Sequence, residues 1–82
     1  MKTTYEVIAS NSTSFEVTFH NLGACRAKAV ADMLDEAFRD IRIVCEQTGE
    51  VMHNHYTSAD WYRPYTTEEG AVATVKRYLA GL

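Results

Sequence analysis

Residues 41–56, IRIVCEQTGEVMHNHY, constrain the fold of this chain more than any other stretch. Two alternating runs flank Thr48-Gly49, and alternation on both sides of a glycine-bearing turn is the pattern of a β-hairpin. A Gln47-Thr48-Gly49 turn with Gly49 in the left-handed region closes such a hairpin with a bulge. In that register Ile43 stands opposite His53 and Ile41 opposite His55. A tighter Thr48-Gly49 loop puts Val44 opposite His53 instead, and a slip of one residue exchanges the faces. In either case His53 and His55 share one side of their strand.

The flanking sequence supplies the other elements. Residues 4–9 read as a strand and residues 10–14 as a polar loop. Across residues 15–20, Phe15, Val17 and Phe19 alternate with Glu16, Thr18 and His20, as a half-buried strand requires. Asn21 is a candidate helix N-cap. Ala27, Val30, Ala31, Leu34 and Phe38 then form an apolar helical stripe that extends to about Arg39. Residues 57–65 connect the hairpin to the last helix, with a short edge strand at residues 61–62 that Pro64 would end. Thr66 and Glu69 have capping-box spacing, and a second helix runs from about Thr67 to Ala80. Lys76 and Arg77 suit its negative end. The expected order is β-β-α-β-β-α: an α+β fold in two layers, an antiparallel four-stranded sheet with two helices on one face, in a single domain spanning residues 1–82.

Size and charge narrow the function classes. A chain of 82 residues, 46% hydrophobic, forms a small core and leaves little room for a deep pocket. That favours a non-catalytic binding module or a protomer of a homo-oligomer over a self-contained enzyme. The net charge of −3 comes without any run of Lys or Arg, so the electrostatic footprint of a nucleic-acid binder is missing. Two cysteines, Cys25 and Cys45, are too few for a disulfide scaffold. With no apolar leader at residues 1–6 and no run long enough to span a bilayer, the expectation is a cytoplasmic protein with reduced thiols and no membrane contact.

Two groups of residues carry candidate chemistry. His53 and His55 share a strand side, and Cys45 on the neighbouring strand could add a thiolate, a donor set suited to zinc. Four ligands are not in sight, since Cys25 and His20 are distant, and solvent-facing histidines are the commoner outcome. The stronger signal is aromatic. Tyr56, Trp61, Tyr62, Arg63 and Tyr65 concentrate the residue types that dominate interface hot spots in one irregular segment. Burial of Trp61 between sheet and helix is the competing reading. Neither a nucleophile elbow nor a glycine-rich phosphate loop is present, and no cofactor is expected.

Residues 27–51, which include AVADMLDEAFRDIRIVCEQTGEV, look like a pattern found in small uncharacterised bacterial and phage α+β proteins. In these an alanine-rich helix leads into a strand and a Thr-Gly-Glu-Val turn; some anti-CRISPR proteins are similar in size and strand–helix order. The resemblance implies a small module from a bacterial or mobile-element genome, with no catalytic residue to carry over. The expected function is protein binding or self-association through segment 56–65. Metal binding at His53, His55 and Cys45 is one alternative, and single-stranded nucleic-acid binding on the sheet face is the other.

Overall fold

The computed structural model describes residues 2–11, 15–56, 64 and 66–81, with the side chains of His55 and Tyr56 outside that description. Six elements follow in order: β1 (Tyr5–Ser10), β2 (Glu16–Leu22), α1 (Ala24–Leu34), β3 (Asp40–Cys45), β4 (Val51–Tyr56) and α2 (Glu68–Ala80). The strands pair antiparallel in one sheet of order β2-β1-β3-β4, which makes the fold α+β. Among the described residues no helix is long and apolar enough to cross a membrane.

Alternation along the strands sorts the side chains onto two faces. Val7 pairs with Ile43 and Ala9 with Ile41 across β1 and β3, and all four are buried. The apolar stripe of α1 meets this face with Ala27, Val30, Ala31 and Leu34, and α2 adds Ala71 and Val75 to the same cluster. Small residues on α1 let its backbone lie close to the sheet. Phe15 leans its ring on Phe38 at 5.7 Å between centroids, tilted by 53°.

Three element ends differ from the pattern read in sequence. The first helix stops at Leu34 rather than near Arg39. Asp35 and Glu36 follow its last residues, and acidic side chains there are disfavoured by the negative helix end. Phe38 still reaches the core because Ala37 and Phe38 N–H both donate to Leu34 O at 3.0 Å, wrapping the chain inward. Asn21 is not the cap of α1; Gly23 is. Asn21 instead sits at a bulge of β2 with φ of 61°, a left-handed conformation that Asn tolerates better than most residues. The cap of α2 is Thr67, not Thr66, and its hydroxyl accepts from Gly70 N–H at 3.0 Å.

The central hairpin settles its register. Ile43 pairs with His53 and Ile41 with His55, but Val44 pairs with Val51, so Met52 is the extra residue of a bulge. Gly49 adopts φ of 78°, and its N–H donates to Cys45 O at 2.8 Å. Cys45 N–H donates to Glu50 O at 2.9 Å, so residues 46–49 form the loop.

Candidate functional site

Two surfaces of the sheet carry chemistry. The first is a cavity of about 310 Å³ on the inner side, between α1 and β4. Tyr5, Ala31, Ile43 and Met52 give it apolar walls, while Lys28, Asp32 and His53 are its polar residues. The bulge explains why Met52 and His53 both line it: an extra residue interrupts the up–down alternation, so neighbours that would point apart converge. Met52 is 55% exposed and Val51 50% exposed, the two large hydrophobic residues left open to solvent among those described. They lie on β4, which is an edge strand with β3 as its neighbour. The cavity is at the small end of ligand sites, which run from about 300 to 1,000 Å³, and suits one or two side chains.

The second surface lies on the outer face, where β2, β1 and the loop after β3 come together. His20 Nδ1 is 3.2 Å from Glu6 Oε2 and 3.4 Å from Glu46 Oε2. Glu6, His20 and Glu46 occupy outward positions of three adjacent chain segments, and one ligating atom from each lies within 4.8 Å of the others. Glu46 is held from several sides. Asn21 N–H donates to Glu46 Oε1 at 3.1 Å, and Glu46 N–H donates to Thr4 O at 3.0 Å. Hydrogen bonding from the Thr4 hydroxyl, then from Asn21 N–H and His20, holds the Glu46 carboxyl below its ordinary value against the opposing effect of desolvation. The neighbouring Gln47 fastens the same loop to Thr4: its Oε1 accepts from Thr4 N–H and its Nε2 donates to Thr4 Oγ1, both at 2.9 Å.

The residues singled out in the sequence distribute differently. Trp61, Tyr62, Arg63 and Tyr65 lie outside the described residues; Tyr56 ends β4 and its side chain is likewise outside. His53 is exposed at the cavity; His55 pairs with Ile41 along the backbone, and its side chain lies outside the described residues. Cys45 is buried at the hairpin end, with its thiol 3.7 Å from Gln47 Oε1. Hydrogen bonds from the Thr48 hydroxyl and from Thr48 and Gln47 N–H lower the Cys45 pKa, opposed by burial and by Glu50. Among the described residues the one grouping with three convergent ligand atoms is Glu6, His20 and Glu46, which periodicity alone does not assemble. The signal was present in part: alternation puts His20 on an outward position, and the same alternation extended through β1 and β3 puts Glu6 and Glu46 there too.

Comparison with protein-family models, with curated proteins and with solved structures gives no match.

Proposed function

We infer that this chain is a small non-catalytic interaction module that takes an extended segment of a protein partner along β4, with an apolar side chain of the partner in the adjoining cavity. The observation that carries this reading is the juxtaposition of that cavity with exposed Met52 and Val51 on an edge strand. Edge strands present unpaired backbone groups, and proteins blunt them with charge. The opposite edge, β2, carries Glu16; β4, with the sequence VMHNHY, carries no Lys, Arg, Asp or Glu. An added strand gains main-chain hydrogen bonds, and a pocket beside it supplies selectivity.

Tyr56, Trp61, Tyr62, Arg63 and Tyr65 come at the end of β4 or soon after it in sequence, and their hot-spot residue types support a share in the same contact. With α1 packed against β1 and β3 and α2 against α1, the partner's strand would lengthen the sheet rather than displace a helix. Free Cys25 and Cys45 support a reducing, cytoplasmic setting.

Site-specific photo-crosslinking in expressing cells tests the reading. A crosslinker at Met52 is expected to give a discrete protein adduct, and one at Glu16 on the opposite edge none. The adduct mass separates a second copy of this chain from a different protein. Equal labelling from both positions, or none from Met52, would end the proposal.

A further inference from the structure

We propose that Glu6, His20 and Glu46 form a binding site for one zinc ion, held by His20 Nδ1 and one carboxylate oxygen from each glutamate, with water completing the shell. The geometry is the first support. Ligands about 2.0 Å from a tetrahedral zinc stand about 3.3 Å apart. The separations of 3.2 Å and 3.4 Å from His20 Nδ1 to the two carboxylate oxygens already match two edges of that tetrahedron. The third edge, between the two carboxylates, lies within 4.8 Å.

Donor chemistry is the second support. One imidazole with two carboxylates suits a borderline ion such as zinc, whereas calcium and magnesium prefer oxygen throughout. The two carboxylates also match the charge of a divalent cation. The third support is the hold on the ligands from behind. Asn21 N–H and the Thr4 hydroxyl engage Glu46, and Gln47 locks the loop to Thr4. Such outer partners fix ligand orientation before the ion arrives. His20 itself is 63% exposed, so an ion reaches the site without unfolding. This site is on the outer face, distinct from the cavity beside β4, and does not depend on the interaction reading.

A bridging histidinium between two glutamates would show the same distances, and zinc titration separates the two. Tag-free protein is titrated with zinc chloride at neutral pH by calorimetry, with thermal melting in parallel. The expected result is one zinc per chain and a melting temperature that rises with zinc. His20→Gln and Glu46→Gln should each weaken binding by at least about tenfold, the scale on which even outer-shell losses act. His53→Gln should bind as the wild type does, and circular dichroism confirms that each variant is folded. No saturable binding at millimolar zinc overturns the proposal. Wild-type affinity in His20→Gln overturns it as well, and binding lost only in His53→Gln would place the ion on β4 instead.

Discussion

Asn11 Nδ2 donates to Glu68 Oε2 at 2.6 Å, fastening the turn after β1 to the first residue of α2. The same amide nitrogen donates to Ala37 O at 2.8 Å, and Asn11 Oδ1 accepts from Arg39 N–H at 2.9 Å. One side chain thus joins the β1–β2 connection, the turn after α1 and the start of α2. These segments are distant in sequence, and α2 also reaches the core through buried Ala71 and Val75, with Val72, Tyr78 and Leu79 packed against it. Asn11→Ala removes all three bonds and leaves partners partly buried, so it should destabilise the protein by about 1–3 kcal/mol. Urea denaturation of the two proteins measures this directly; a difference within error would mean that water replaces the amide.

Two glycines should answer differently to substitution by alanine. Gly49 sits at φ of 78°, where a Cβ is strained although nothing lies within 4 Å of it. Gly49→Ala should cost about 1–2 kcal/mol, the left-handed penalty. Gly70 has helical geometry, and propensity alone would reward alanine there by about 1 kcal/mol. A Cβ at Gly70 would stand 2.9 Å from Thr67 Oγ1, the atom that caps α2. The cap bond must give way, offsetting the gain by about 1 kcal/mol. Gly70→Ala should therefore fail to raise the melting temperature, and a clear increase would show that the cap tolerates the displacement.

The two thiols should differ in accessibility. Cys25 is exposed in the first turn of α1 and Cys45 is buried. Hydrogen bonds from Thr48 and Gln47 favour the Cys45 thiolate, but a reagent must first gain access through a local opening. Each 1.4 kcal/mol of opening energy slows modification about tenfold. A disulfide reagent should modify Cys25 fast and Cys45 at least about tenfold more slowly, with the slow phase absent in Cys45→Ser. Equal rates in the folded protein would show that the hairpin end is open.

Glu46 gives the acid limb of stability a defined source. Its folded pKa lies below the ordinary value of about 4.5, chiefly through the Thr4 hydroxyl. A depressed carboxylate pKa means that the unfolded chain takes up the proton first. The stabilisation is complete above the unfolded value and is lost as pH falls through the folded one. Melting in the presence of chelator should fall below about pH 4.5 more steeply for the wild type than for Glu46→Gln. Parallel curves would assign the acid limb to other carboxylates.

Local periodicity made much of the fold legible. Phe15, Val17 and Phe19 alternate, and Ala27, Val30, Ala31 and Leu34 recur at helical spacing, because one buried face imposes a period on each element. The glycine at position 49 marked the hairpin for the same local reason. Element ends were less legible. Asn21 resembles a cap in sequence, but a bulge next to β1 uses its left-handed tolerance, and Thr66 and Thr67 compete for one cap that the approach of the chain decides.

Residue types and their faces follow from the sequence alone: strands with one apolar side, two amphipathic helices, a glycine turn, and outward positions for Glu6 and His20. The tertiary structure decided which of those outward residues meet. Strand order β2-β1-β3-β4 sets Glu6 between His20 and Glu46, and the bulge at Asn21 aims a backbone N–H at Glu46. The bulge at Met52 likewise turned two consecutive residues toward one cavity. Strand neighbours and bulges arise from packing between segments far apart in the chain, and such long-range choices leave no period in the sequence to read.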